Sequence, residues 1–361
     1  PAGKVAAAAL TVLAATAQAD TGVEVVLPQV VVTATRSAMA LSESPAAVSL
    51  VTQESIDLRN VFRLGDALAE VPGLYLRGSA FGESFPASGV GALTLRGIPR
   101  TPRTLVLIDG QPLNNALSGG VNFTGIPMYD VARIEVVRGP FSALYGGHAM
   151  GGVVQVFTAA PVAREVFVDV GAGGGELPRQ GYTAGMRDRQ DHGLAWSLGA
   201  GYRRSDGWDG SDLVVKTPAA GVGAVPVTGA VRTSTPDART AWLVGDKGAR
   251  PWEQFNATLA LRHETAGGAR LAGGLAWSKY RVGATPPRSL LRDGSGAEVM
   301  QGDVGFFAGG PVRFALVEAD FLTQTPSSEE EWRAYARAEV PVSAGIVLNA
   351  SMGWLDHAFR F

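Results

Sequence analysis

Cysteine is absent from this sequence, and its four histidines, His148, His192, His263 and His357, lie too far apart to form a local metal motif. That removes disulfides, thiolate metal sites and a thiol nucleophile. No Gly-x-Ser-x-Gly elbow is present, and no nucleophile–histidine–acid grouping stands out. Gly146 and Gly151 have the outer spacing of a phosphate loop, but Gly152-Val153 stand where Lys-Ser/Thr would be needed. Glycine there is expected to serve tight turns and close backbone packing. A net charge of −2 gives phosphate backbones nothing to bind, so no nucleic acid is expected. The residue types therefore point to recognition by shape and hydrogen bonding. Neither an enzyme nor a cofactor is expected.

The elements that must position such residues begin with an export signal. Lys4 precedes an apolar stretch over residues 5–15, and Ala17-Gln18-Ala19 supplies a small-x-small cleavage site before Asp20. Because the first residue is Pro1, the numbering is expected to start inside the signal. The stretch is too short to span a bilayer as a helix, and no other segment qualifies. Residence in a membrane would require a closed β-barrel, because lipid satisfies no free backbone group. Charged residues make up only 18% of the chain and glycine is abundant, at 47 residues, where soluble domains carry about 25% charge.

Four segments are expected: a signal peptide at 1–19, a polar and Val-rich linker at 20–45, a small α+β domain at 46–160, and a β-rich region at 161–361. In the α+β domain, Leu64, Ala67, Leu68 and Val71 place one apolar stripe on a short helix that Pro72-Gly73 ends. Residues 104–108, 133–137 and 152–158 read as strands, the first closed by the turn Asp109-Gly110.

Beyond residue 164 the pattern alternates with period two. Leu194, Trp196, Leu198, Ala200 and Tyr202 share one face. So do Phe255, Ala257, Leu259 and Leu261; Leu271, Leu275 and Trp277; Trp332, Ala334, Ala336, Ala338 and Val340; and Ile346, Leu348, Ala350, Met352 and Trp354. The opposite faces carry small or polar residues, including Glu331, Arg333, Tyr335 and Arg337. Several rows approach the ~9–11 residues of a tilted membrane strand, with aromatics near their ends. A soluble sandwich alternates too, but does not explain the export signal, the row lengths and the small second face together.

Four stretches resemble the TonB-dependent outer-membrane receptor family, in that family's order. The first is Val30-Val31-Val32-Thr33-Ala34-Thr35-Arg36, similar to a TonB box. The second is Leu95-Arg96-Gly97 with Thr104-Leu105-Val106-Leu107-Ile108-Asp109-Gly110-Gln111-Pro112-Leu113-Asn114. The third is Ile126-Pro127 with Val131-Ala132-Arg133-Ile134-Glu135-Val136-Val137-Arg138-Gly139-Pro140. The fourth is Ser142-Ala143-Leu144-Tyr145-Gly146 with Ala149-Met150-Gly151-Gly152-Val153-Val154.

The resemblance implies a mainly β fold: a small α+β plug domain, then an incomplete antiparallel transmembrane β-barrel in the bacterial outer membrane. It implies TonB, outer-membrane lipid and a metal chelate as partners, with a ferric siderophore first and cobalamin or haem as alternatives. A recognition module that does not transport is the other alternative. Val30 to Arg36 would be the TonB handle, since a β-branched, nearly uncharged segment can add to another protein's sheet edge. Plug loops would meet substrate through Phe81, Glu83, Phe85 and Ser88, and through Asn114, Asn115, Ser118, Asn122 and Phe123. Barrel loops at residues 206–235 and 286–302 would complete that surface. Arg96, Arg133, Glu135 and Arg138, charges among apolar strand residues, would pair with the barrel wall. One departure stands out. Barrels that house a plug have 22 strands, whereas about eight are expected here. The terminal Phe359-Arg360-Phe361 is taken as coincidence rather than as an assembly signal, and the chain as a fragment.

Overall fold

A computed structural model describes residues 30–31, 39–40, 46–59, 61, 64–78, 90–97, 103–116, 119–173, 179–207, 213–322 and 325–360. Phe81, Glu83, Phe85, Ser88, Ser118 and residues 32–36 lie outside that set. Val30–Val31 pairs antiparallel with Met39–Ala40.

The first folded region is built on a five-stranded sheet. Its strands are β1 (Ala47–Thr52), β2 (Thr104–Ile108), β3 (Gln111–Pro112), β4 (Val131–Arg138) and β5 (Gly152–Thr158), in the order β1-β4-β5-β2-β3. β5 runs parallel to β2 and antiparallel to β4. Asp109 and Gly110, at φ 45° and 83°, form the two-residue turn between β2 and β3, a conformation that favours Asp-Gly. Both sheet faces are covered. On one, Leu64, Ala67 and Leu68 of helix α1 (Leu64–Leu68) and nearby Val71 pack with Val106, Ile134, Val136, Val154 and Val156. On the other, Leu105, Leu107 and Val153 meet Ala149, with Phe141 and Tyr145 alongside. Double burial explains why these strands read as continuous apolar runs.

The second region is an antiparallel sheet of seven strands in sequence order: β6 (Glu165–Ala172), β7 (Arg179–Arg189), β8 (Leu194–Ser205), β9 (Trp252–Glu264), β10 (Arg270–Val282), β11 (Ser327–Ser343) and β12 (Ile346–Arg360). Seven strands stand where the sequence suggested about eight. The apolar rows are exposed: Val166, Val168 and Val170, then Leu198, Leu261, Leu275, Met352 and Trp354. The other face holds buried polar residues, among them Thr183, Ser197, Gln254, Asn256, Ser278, Glu329 and Glu331. That is the arrangement of a membrane barrel wall, with lipid outside and a polar lumen inside.

The outer aromatics record the strand tilt. Tyr182, Tyr202 and Phe255 are register partners, whereas Trp277 and Trp332 pair one step lower and Trp354 lies opposite Ala334, lower again. A girdle that stays level must slip along the register when strands lean.

Connections at one end are short turns, at Gln190–Gly193 and Thr265–Ala269, for example. At the other end run two long segments, residues 206–251 and 283–326. Short turns belong to the periplasmic end and long loops to the outside. The long segments contain strands of their own and interlock. Val225–Pro226 pairs with Gly302–Phe307, and Thr240–Asp246 with Arg288–Ser289. They share one core, with Val214, Val227, Trp242 and Val244 from the first and Leu291, Val304, Phe314 and Phe321 from the second. Lys216 ties them further by donating to both oxygens of Asp320.

Candidate functional site

The two regions meet along a polar seam. On the first region's side, Asn122 caps a 3-10 turn at Phe123–Gly125, accepting from the Thr124 amide at 3.1 Å and its hydroxyl at 2.6 Å. The Thr124 carbonyl then accepts from Gln254 Nε2 on β9 at 2.6 Å, and the Gly125 carbonyl from Arg333 on β11. The Asn122 side chain also bonds the Glu331 carboxylate. Gly125 keeps this contact close, because a Cβ would sit 2.8 Å from Glu331 Oε1 and would make that carboxylate shift. A little further on, the Tyr129 ring fills the space beside Gly199 of β8, 5.6 Å from the Phe167 ring, with its hydroxyl 3.5 Å from Thr258 Oγ1.

A second anchor lies at the end of β5. Asp109 accepts from the Thr158 amide (3.0 Å) and hydroxyl (2.6 Å), holding the β2–β3 turn to that end. Arg262 of β9 donates to the Thr158 hydroxyl and the Ala159 carbonyl, with Asp109 3.9 Å away. Asp130 sits beside this knot. Burial and the neighbouring Asp109 carboxylate push its pKa up to about 7, against the pull of Arg262, Arg187 and Arg333. Burial likewise raises the Tyr129 hydroxyl, so it stays a neutral phenol. A cavity of about 370 Å³ opens between the two anchors, lined by Asp109, Asp130, Gln111, Arg333 and Tyr335 among others.

Several residues singled out in the sequence sit elsewhere than expected. Arg133 pairs with Glu135 at 2.8 Å on its own strand and stacks on Phe157, while Glu135 is fully buried. Arg138 reaches the Ala47 and Pro72 carbonyls and Ser49, all within the first region. Arg96 is exposed in a positive-φ turn, its amide bonded to Gly73. These four charges were expected to pair with the wall. Instead the first three hold the first region together, because i and i+2 on one strand, or a neighbouring strand end, offer nearer partners. Phe123 is buried in the apolar core rather than presented to substrate. Asn122 is the cap just described, and Asn114 braces the hairpin, accepting from Val106 N and donating to the Thr104 and Gly119 carbonyls. These three are corrected from substrate contacts to structural residues. Asn115 is half-buried with its amide bonded to Gly120. The wall residues that do make the seam, Gln254, Arg262 and Arg333, were not singled out as contacts; their signal was a long polar side chain on the face opposite an apolar row.

The TonB-dependent Receptor Plug Domain family matches residues 40–153, which contain β1 to β4 of the five-stranded sheet, the start of β5 and the seam turn. Residues 40–153 thus belong to the plug-domain family of TonB-dependent receptors, and the chain is similar to those receptors. Its plug is the first region, its barrel sheet the second, and its place the bacterial outer membrane. The receptor is 28% identical over 236 residues to the vitamin B12 transporter BtuB of Vibrio vulnificus (strain YJ016), covering 65% of this chain and 37% of that protein. With BtuB of Photobacterium profundum it shares 33% over 145 residues, 40% of this chain and 23% of the relative. The chain thus spans well under half the length of these curated relatives. Among solved structures, a mutant of the ferric enterobactin receptor PfeA from Pseudomonas aeruginosa aligns over 88% of this chain and 50% of that one, at 17% identity and a TM-score of 0.43.

Proposed function

We propose that this chain forms part of a receptor for energy-coupled uptake of a scarce metal chelate. The observation that carries the reading is the seam. The plug owns a closed apolar core, yet meets the wall mainly through hydrogen bonds and one aromatic ring. Such a part can shift as a body without exposing a hydrophobic core. The outer membrane has no ATP supply, so the work must arrive from a periplasmic partner. On this reading that partner is TonB, gripping Val30 to Arg36 in the linker 20–45, with 1–19 as signal peptide, 46–160 as plug and 161–361 as barrel. Among the plug residues first assigned to substrate, Phe81, Glu83, Phe85, Ser88, Asn115 and Ser118 remain candidates. No catalytic step is assigned.

The sequence alone favoured a ferric siderophore. The curated relatives named above are vitamin B12 transporters, which makes a corrinoid the first chelate to test. The test is uptake of radiolabelled cyanocobalamin, and separately of iron-labelled siderophores, by cells whose only such receptor is the full-length protein carrying this chain. Accumulation of one chelate that disappears on deletion of TonB is expected. Binding without accumulation would support the recognition module instead, and uptake that persists without TonB would sink the handle assignment.

A further inference from the structure

Several lumen-facing glycines of the barrel sheet are overlaid by a larger side chain. Gly185 lies under Phe167 and Gly274 under Tyr335, both from the wall itself. Gly199 and Gly353 differ, since what fills their space comes from the plug: Tyr129 over Gly199 and Gln111 over Gly353. A Cβ on Gly199 would stand 2.5 Å from Tyr129 Cε2, closer than any real contact allows. At Gly353 the intruding atoms belong to the end of a flexible amide, which can turn aside. Tyr129 has no such freedom. Its ring is packed against Phe167, its hydroxyl faces Thr258, and its backbone belongs to the turn Met128–Asp130 that leads directly into β4.

We propose that Gly199 is a seating notch for Tyr129, and that this wedge sets the depth and register at which the plug closes the barrel. The hydrogen bonds from Gln254, Arg262 and Arg333 fix the plug at two corners, but long side chains tolerate small displacements. A rigid ring in a notch one residue wide does not. Opening a passage along this side of the plug therefore requires Tyr129 to leave Gly199 first. The inference rests on the receptor reading, in which the plug closes a barrel, but not on the identity of the chelate or on TonB.

The test is leakage, which needs neither. The full-length receptor is expressed in the outer membrane, barrel assembly is checked by heat-modifiable gel mobility, and entry of vancomycin is read from growth inhibition. Gly199→Val is expected to assemble and to raise the unseated population roughly tenfold, as overpacking by one side chain would, with matching sensitisation. Adding Tyr129→Ala in the same chain is expected to lower that leak by emptying the space that the valine needs. A tight Gly199→Val barrel with Tyr129 intact, or a leak that Tyr129→Ala leaves unchanged, would overturn the proposal. Should Gly199→Val fail to assemble, Tyr129→Trp overfills the notch from the plug side with the wall unchanged. Leakage is expected there, and a tight barrel would again overturn it. A receptor that leaks as described but takes up no chelate would retain the notch and lose the transport reading.

Discussion

The plug sheet and the barrel sheet use the same alternating backbone in opposite senses. In the plug, Ile134, Val136, Val154 and Val156 are fully buried and the chain's own helices cover them. In the barrel, Leu275, Leu261, Met352 and Trp354 point outward, while Glu331 and Gln254 are buried against the plug. The hydrophobic drive is the same in both; what differs is the solvent on each side. A plug strand must exclude water from both faces. A barrel strand gives one face to lipid and keeps its hydrogen-bonding groups for the lumen. Burial thus means opposite things in the two regions: apolar packing in one, polar contact in the other.

The sharpest way to break this contrast is to cut equivalent aliphatic side chains from each. Ile134→Ala should destabilise the plug by about 4 kcal/mol through a cavity that cannot collapse, read by chemical denaturation. Leu275→Ala should change barrel stability far less, because lipid chains fill the gap. The reverse test is Leu275→Arg. It should cost the barrel about 3 kcal/mol in equilibrium unfolding from lipid vesicles, and equal tolerance of Arg and Ala there would mean that this face does not meet lipid. At the seam, Arg262→Ala should loosen the corner at Thr158 and Ala159 by about 2 kcal/mol, the order of a hydrogen bond to a charged group. Faster hydrogen exchange at those two amides would show it.

A pH effect is expected at Asp130. Its pKa is raised from 3.8 to about 7 in the folded protein. The folded state therefore holds the proton more tightly than the unfolded one, and stability falls as pH rises from about 4 to about 7, then levels off. Asp130→Asn should flatten that slope in pH-dependent denaturation; an unchanged slope would assign it to other groups. At the bottom of the scale, Arg239→Ala breaks an exposed pair with Asp237 and should leave the melting temperature unmoved.

Much of this architecture is legible in the sequence where one period dominates. The stripe of Leu64, Ala67, Leu68 and Val71 is buried as read, with the first three on a helix and Val71 just beyond its end. The five apolar rows of the barrel all became strands with their apolar side outward. What escaped is whatever depends on a partner distant in the chain. Arg133 and Glu135 look like wall contacts because charges on a strand suggest an outside partner, yet one turned out to be the other's. Asn122 and Phe123 have loop composition, and an amide suits a turn cap as well as a ligand. The strands within residues 206–251 and 283–326 are short and broken by glycine and proline, so each is marginal until its partner arrives from the other loop. Gly199 was visible as one small residue among others, and only Tyr129, far away in sequence, gives it meaning.

That mutual dependence of the two outer loops constrains how the exposed face of this receptor can change over generations. Neither loop carries a complete core, so neither is an independent unit of variation. A sequence change on one loop must still fit the core residues that the other loop contributes. Recombination that exchanges one loop alone would deliver half a domain. Transplanting the surface of this receptor onto another barrel would have to move both segments, and the two strands between them, as a single piece.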